Sequence, residues 1–485
     1  MSAAALGALF PDAAPEIADR AVAGLTADSR RVVPGGVFVA VPGTKADGKL
    51  FAAGAAQAGA VAVVGEGEAP AGLACPWIRV ADARRALALA ASRLSGRQPD
   101  TLVAVTGTAG KSSVADFVRQ ILSRLGRDAA SLGTVGIVTA RGAAYGSLTT
   151  PDPVTLHETL AQLAIDGVTD LAMEASSHGI EQRRLDGVHL GAAGFTNLGR
   201  DHLDYHPTVE AYLAAKLRLF TVLLPAGSPA VINADGACAD RMIAAARAAG
   251  HDVRTTGRAG TQIRLLHART EGFAQVLGLG GAHGGRAVRL PLVGGFQVEN
   301  ALVAAGLALA TPAGAADPDG VFLALEHLTG VPGRMERVGE VNGALCLVDY
   351  AHKPEALEGV LIALRPFAAG RLVLVFGCGG DRDRGKRPLM GGIAARLADA
   401  VIVTDDNPRT EDPAAIRAAI LAQVPGATEI GDRTDAIRTA VRGLRPGDVL
   451  VVAGKGHETG QIVGDRVLSF SDHAVLRTAI GEAAR

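Results

Sequence analysis

The stretch VAVTGTAGKSS, Val103–Ser113, joins an apolar run to two glycines, a lysine and paired serines. An apolar run that yields to a Gly-rich turn and then to helix formers reads as strand, loop, helix. Gly107 and Gly110 let backbone N–H groups turn inward around phosphates. Lys111 can reach terminal phosphate oxygens, and the Ser112 hydroxyl can bind Mg²⁺. The usual phosphate loop has a glycine five residues before its Gly-Lys pair. Here Val105 holds that position, so this is a shortened G-x-x-G-K-[ST] form. The strand before it and the helix after it favour nucleotide binding over a chance glycine turn. The expected ATP loop is Gly107, Thr108, Ala109, Gly110, Lys111, Ser112 and Ser113.

Outward from this loop, apolar runs alternate with Ala/Leu-rich helical stretches. The runs are Leu102–Gly107, Leu171–Ser176, Ala192–Leu198, Pro229–Asp235, Leu345–Ala351, Arg371–Gly377, Val401–Asn407 and Asp448–Gly456. Uninterrupted apolar runs suit strands buried on both faces of a mostly parallel sheet. Nearly all end in Gly, Asp, Asn, Glu or Lys, and open α/β sheets bind ligands at strand carboxyl ends. Polar breaks at SGRQPD (Ser95–Asp100) and TGVPGRMERVG (Thr329–Gly339) predict three domains, 1–98, 99–332 and 333–485. The first is a small α/β domain with a strand-and-turn pattern over Asp28–Gly43. The second carries the phosphate loop, and the third repeats the α/β pattern. No G-x-G-x-x-G opens a helix in the third, which disfavours a dehydrogenase. GLGGAHGG, Gly278–Gly285, reads as a flexible turn.

Composition sets limits. The 485 residues carry 48 Lys+Arg against 49 Asp+Glu, so no basic excess tracks a nucleic-acid backbone. Four dispersed cysteines, Cys75, Cys238, Cys346 and Cys378, give no metal-ligand spacing and no disulfide framework. The N-terminal stretch is a poor signal peptide, and no apolar run is long enough to span a bilayer. A cytoplasmic protein without a membrane partner is expected.

Further polar groups cluster on the second domain. Glu174 ends the run in MEASSH and can carry a second metal ligand or be a solvated strand end. FTNLGRDHLDYH, Phe195–His206, offers Asp201, His202, Asp204 and His206; without a Glu after His202 it is not a zincin motif. PTVEAYLAAKLRLF, Pro207–Phe220, reads as a helix capped by Thr208. Lys216 lies on or beside its apolar stripe of Val209, Leu213 and Phe220. The pattern alone leaves open a snorkelling lysine and a desolvated amine able to take up CO₂ as a carbamate.

These stretches, with TTPDP, VINADG, GVPGRMERV, VDYAHKPEAL, FGCGGDRDRGKRPLMG, DDNPR and AGKGHE, occur in order from Thr106 to Glu458. Together with DSRRVVPGGVFVAVPGTKADG they resemble the Mur ligases, most closely the branch adding the third residue of the peptidoglycan stem peptide. The resemblance implies a small N-terminal α/β domain for the uridine nucleotide, a central P-loop ATPase and a C-terminal Rossmann-like domain. It also implies ATP-dependent amide formation, through an acyl phosphate, on the D-Glu of UDP-MurNAc-L-Ala-D-Glu. By the same resemblance, Lys111, Glu174, His202 and Lys216 are catalytic. Ser112 and Glu174 would serve a first Mg²⁺, and His202 and Lys216, as its carbamate, a second. Asn300, Arg334 and Asp349 would frame the adenosine. Ala27, Ser29, Thr44, Lys45, Ala46, Thr149, Thr150, Ser176, Gln182 and Arg184 would hold the UDP-MurNAc-dipeptide. A monomer is expected. Ala109 and Gly199 depart from the family's usual Asn and Ser without removing a reacting group.

The amino acid added is meso-diaminopimelate or L-lysine, which differ by one distal carboxylate. A planar Arg fork suits a carboxylate, and DNPR supplies Arg409 after the rigid Pro408. Arg387, Asp406, Asn407, Pro408, Arg409, Gly454 and Glu458 form the expected diaminopimelate site. The resemblance favours the diaminopimelate branch. Alternatives are a lysine-adding ligase, a folylpolyglutamate-type ligase, and a non-catalytic nucleotide switch.

Overall fold

All eight apolar runs become buried strands, as their lack of alternation requires. The computed structural model describes residues 4–43, 46–144, 148–199 and 205–483. The fold is α/β. Two compact units are present, Met1–Thr256 with Val303–Pro318, and Gly257–Leu302 with Asp319–Arg485.

The first unit opens with four parallel strands in sequential order, β1 (Leu25–Thr26), β2 (Val37–Ala40), β3 (Ala62–Glu66) and β4 (Trp77–Val80). Helix α1 (Ala83–Ser95) starts where the Asp82 carboxylate accepts from Arg85 N at 2.9 Å. This sheet has its own core around Leu6, Val39, Val64 and Ile78. The Ser92 and Gln98 side chains donate to Gly187 O, and Arg183 pairs with Asp82. These bonds tie the sheet to the following layer within the one compact unit.

That layer contains β5 (Thr101–Thr106), α2 (Lys111–Arg124), β6 (Ala129–Gly133), β7 (Gly136–Thr139), β8 (Gly142–Ala144), α3 (Pro153–Ile165), β9 (Asp170–Glu174), β10 (Ala192–Phe195), α4 (Val209–Arg218), β11 (Pro229–Asn233) and β12 (Asp252–Gly257). Their spatial order is β8-β7-β6-β9-β5-β10-β11-β12. Strands β6 to β12 of that row run parallel, with β7 and β8 an antiparallel edge. The chain builds outward from β5 on one side and then crosses to the other. The end of β5 is thus the switch point where α/β sheets bind ligands.

The second unit holds an antiparallel meander, β13 (Ile263–Glu271), β14 (Ala274–Gly281) and β15 (Arg286–Leu290). Half of GLGGAHGG is therefore strand rather than turn. The His267 ring covers Gly278 so closely that a Cβ there would lie 2.1 Å from it, which explains a glycine inside a strand. Further elements include β16 (Glu336–Val341), β17 (Ala344–Asp349), β18 (Leu372–Phe376), α5 (Lys386–Leu397), β19 (Ala400–Val403), α6 (Pro413–Leu421), β20 (Thr428–Glu429), α7 (Arg433–Arg442), β21 (Val449–Ala453), the hairpin β22 (Gly460–Val463) and β23 (Arg466–Ser469), and α8 (Asp472–Ala483). The sheet order is β16-β17-β21-β18-β19-β20, parallel except for β16. Among the described residues no helix is long and apolar enough to cross a membrane.

Candidate active site

At the end of β5 the chain turns through Gly107 at φ +153° and enters α2 from Gly110 at φ +85°. A Cβ on Gly107 would lie 1.8 Å from Thr196 Oγ1, so only glycine fits. The expected FTNLG stretch braces this loop from the end of β10. Thr108 N donates to Asn197 O at 2.9 Å, Ala109 N to Asn197 Oδ1 at 3.0 Å, and Thr196 Oγ1 to Ala109 O at 2.7 Å. The backbone of Ala109 is thus held from both sides without the usual Asn side chain. Gly199 N donates to Thr108 Oγ1 at 2.8 Å, which needs no side chain at Gly199.

Two ammonium groups converge on one carbonyl. Lys111 Nζ and Lys216 Nζ donate to Gly107 O at 2.9 and 2.8 Å. Thr208 caps α4 as its sequence predicts, accepting from Ala211 N at 3.1 Å. Lys216 is only 1% exposed, and its Nζ lies 4.2 Å from the centre of the Tyr212 ring. Of the two readings of its helix pattern, the buried amine is the one found.

Glu174, 2% exposed, accepts from Ser112 Oγ at 2.8 Å and from Thr134 N at 2.7 Å. Gly133 makes room for it, since a Cβ there would lie 2.1 Å from Glu174 Oε1. Ser112 and Glu174 together offer hard oxygen donors beside the phosphate loop, a set suited to Mg²⁺ with phosphate and water completing the shell. Among the described residues no group of three His, Cys, Asp or Glu side chains is placed to hold a metal ion. Asp201, His202 and Asp204 lie outside the described residues.

Behind Glu174, Thr150 Oγ1 donates to Glu174 O at 3.1 Å and lies 3.0 Å from Ser176 Oγ. Thr149 Oγ1 lies 3.0 Å from Thr134 Oγ1, a partner the sequence did not reveal. Arg184 donates to Thr150 O at 2.6 Å and to Gln182 Oε1 at 2.7 Å. Burial pushes its guanidinium below the ordinary value. Gln182 and Arg184 line a cavity of ≈ 610 Å³ with Ala27, Asp28, Arg31 and Arg84. Ser29 starts the turn beside it, and Ala46 O accepts from Gly43 N. Neither residue lines this cavity, and Thr44 and Lys45 lie outside the described residues. Arg31 and Arg84 are basic groups that sequence reading missed, because neither sits in a phosphate motif.

In the second unit, a cavity of ≈ 600 Å³ opens at the carboxyl ends of β17, β18, β19 and β21. Asp406, Asn407, Arg409, Gly454 and Glu458 line it. The loop after β19 lies back to back with the loop after β18. Gly380 N donates to Asn407 O at 2.9 Å, and a Cβ on Gly380 would sit 1.9 Å from Pro408 O. Pro408 itself is a backbone spacer that stiffens the approach to Arg409. Arg409 adopts φ +53°, costing about 1–2 kcal/mol for a residue with a side chain. Its N–H donates to Ile462 O at 3.0 Å and its C=O accepts from Gly464 N at 2.7 Å, so the hairpin β22–β23 holds that conformation. Arg409 Nη1 donates to Gly380 O at 2.8 Å.

Asp406 is nearly enclosed. Burial pushes its carboxyl above the ordinary range, against the pull of Arg433 and Lys455. Among the described residues no donor hydrogen-bonds its carboxylate. Burial also raises the Glu458 carboxyl, but the Lys455 charge and bonds from Lys455 and Asn407 more than reverse this. Arg387 departs from its expected place. It is buried, donates to Glu411 Oε1 at 2.9 Å and does not line the cavity. Its position on α5 turns it inward, under the loops. Asp405 pairs with Arg417 of α6 and thereby anchors the loop to the next helix.

The adenosine candidates also lie in this unit. Asp349 ends β17 and accepts from Met335 N and Ala351 N, each at 2.7 Å. Arg334 stacks 5.0 Å over Tyr350, and Asn300 donates to Gln297 Oε1 at 3.0 Å within its helix.

Residues 21–94 match the family described as Mur ligase family, catalytic domain; 105–308 match the Mur ligase middle domain; and 333–456 match the Mur ligase, glutamate ligase domain. A UDP-N-acetylmuramoyl-L-alanyl-D-glutamate--2,6-diaminopimelate ligase of Rhizobium meliloti (strain 1021) is 58% identical, with 98% of each chain covered. The ligase of that name from Caulobacter vibrioides is 54% identical over 96% of this chain and 97% of its own. A solved structure with the same name superposes with a TM-score of 0.75 at 35% identity, covering 99% of both chains. A Mycobacterium tuberculosis folylpolyglutamate synthase shares the fold at 20% identity, with a TM-score of 0.59 over 76% of this chain and 92% of its own. With motifs, architecture and near-complete alignment in agreement, the chain belongs to the Mur ligase family.

Proposed function

We infer that the chain is an ATP-dependent, ADP-forming amide ligase of peptidoglycan precursor synthesis. It joins meso-2,6-diaminopimelate to the D-Glu of UDP-N-acetylmuramoyl-L-alanyl-D-glutamate, and so serves wall biogenesis, cell shape and division. The observation that carries the amino-acid choice is one cavity containing a buried carboxylate, Asp406, and a guanidinium, Arg409. They complement the distal ammonium and distal carboxylate of diaminopimelate. Lysine would leave Arg409 without its anion.

In the reaction, the D-Glu side-chain carboxylate attacks the γ-phosphorus of ATP, ADP leaves, and an acyl phosphate results. The diaminopimelate amine then attacks the acyl carbon, and the tetrahedral adduct expels phosphate to give the amide. The phosphate loop and Lys111 bind the ATP phosphates and offset the charge that gathers there. Ser112 and Glu174 would hold one Mg²⁺, and His202 and carbamylated Lys216 a second, and the ions would supply further neutralisation of the phosphoryl oxygens. Thr149, Thr150, Ser176, Gln182 and Arg184 orient the muramoyl-dipeptide. Ala27, Ser29, Thr44, Lys45 and Ala46 serve its nucleotide end. Asn300, Arg334 and Asp349 serve adenosine. We assign these roles to segments 1–98, 99–332 and 333–485, working in the cytoplasm as a monomer.

The test is phosphate release from ATP and UDP-MurNAc-L-Ala-D-Glu with each amino acid in turn. Release dependent on diaminopimelate, with lysine a poor substitute, is expected. Equal use of lysine would overturn the substrate choice. ATP binding without amino-acid-dependent release would overturn the ligase reading.

A further inference from the structure

The wall of the amino-acid cavity hides a lysine that never reaches its surface. Lys455 follows β21 and is 0% exposed, yet its ammonium donates to Asn407 Oδ1 at 3.0 Å and to Glu458 Oε2 at 2.9 Å. Asn407 Oδ1 also accepts from Ile462 N at 2.9 Å. Two donors on one atom require an oxygen there, which fixes the amide orientation. Asn407 Nδ2 must then point to Glu458 Oε2, where it donates at 3.0 Å.

We propose that Lys455 is a specificity-setting positioning residue, orienting Asn407 and Glu458 and balancing their charge so that the cavity accepts the zwitterionic end of diaminopimelate. This rests on the amino-acid site proposed above. Asp406 and Glu458 are two carboxylates in one enclosed wall, and like charges so placed oppose each other's ionisation. Lys455 hydrogen-bonds Glu458 and not Asp406, which leaves the Asp406 carboxylate open toward the substrate ammonium. The charged and titratable groups facing these two carboxylates are Lys455, His457, Tyr350, His352, Cys378, Arg433 and Asp472. Of the two cations, Arg433 is held by Asp472 through two bonds at 2.6 and 2.8 Å, so Lys455 is the one that answers to Glu458.

The experiment measures KM for diaminopimelate, ATP and UDP-MurNAc-L-Ala-D-Glu, and the pH profile of kcat/KM for diaminopimelate, in the full-length enzyme. Lys455→Met should raise the diaminopimelate KM about 10–100-fold and leave the other two KM values within about 2-fold. The acid limb should move up by about one pH unit, because both carboxyls lose a neighbouring cation. An unmoved acid limb, or an equal rise in all three KM values, overturns the proposal. Should the single variant fail to fold, Lys455→Met/Glu458→Gln strands no carboxylate and carries the test. A KM above that of Glu458→Gln alone supports action through Asn407 as well; an equal KM overturns it. Arg409→Ala separates the two readings. If the wild type uses diaminopimelate and Arg409→Ala weakens it while Lys455→Met does nothing, only the present inference fails. A wild type indifferent to diaminopimelate overturns the substrate reading itself.

Discussion

Asp406, proposed above to meet the distal ammonium of diaminopimelate, carries a cost in stability at neutral pH. Its carboxyl titrates higher in the folded protein than in the unfolded chain, because burial outweighs Arg433 and Lys455. A folded value above the unfolded one means the ionised group opposes folding at neutral pH. That cost eases as pH falls through the folded value towards the unfolded value of about 3.9. Asp406→Asn should therefore stabilise the protein at pH 7 while raising the diaminopimelate KM, with the stability gain shrinking at pH 4. Paired urea titrations and kinetics check this; a variant less stable at pH 7 contradicts it. That Asp406 and Arg409 line one cavity was legible in DDNPR, because polar groups crowding the end of an apolar strand mark the mouth of an α/β sheet. Asp405 was not legible, since its partner Arg417 lies a helix away. Arg387 was misplaced because an arginine in a Gly-rich loop motif looks available to ligand. Only packing shows that Glu411 takes it.

At the scale of elements, helices α7 and α8 begin at the two ends of one buried ion pair. Arg433 and Asp472 are both 0% exposed, and Arg433 also donates to Ala453 O at 2.9 Å where β21 ends. Desolvation alone would lower the Arg433 value, but Asp472 reverses this and raises it. Removing one partner of such a pair leaves a buried charge alone. Asp472→Ala should cost about 3–5 kcal/mol. Faster hydrogen exchange over residues 433–442 and 472–483 is the readout. The lone tryptophan, Trp77, belongs to the first unit and would not report the loss. Unchanged exchange would show that the helices do not depend on the pair. Strands were legible from uninterrupted apolar runs, and α4 from its Thr208 cap. Strand β14 was not, because its glycines imitate a turn until His267 is seen to cover them.

Across the whole molecule the cysteines separate by depth. Burial pushes the thiols of Cys346 and Cys378 up to about 12 each. At pH 8 such a thiol is ionised in only about one molecule in ten thousand, and the thiolate is the reactive form. A thiol reagent at pH 8 should modify at most two cysteines of the native protein, Cys75 and Cys238, and all four after denaturation. Four fast thiols in the native state would contradict the burial of the second unit's core. Cys378 sits in the cluster around Leu347, Leu374 and Val451, and Cys346 in the one around Val348 and Val375 on the other face of the sheet.

The hairpin that fastens Arg409 has an evolutionary consequence. Ile462, Gly464 and Gln461 hold the backbone of Arg409 and Asp406 from some fifty residues downstream. A recombinant gene crossing over between Glu411 and Ala453 would inherit the DNPR letters from one parent and their fastening from the other. With Arg409 selecting the substrate as proposed above, that choice is a two-part inheritance, and exchange of the four-residue motif alone transfers its spelling without its shape.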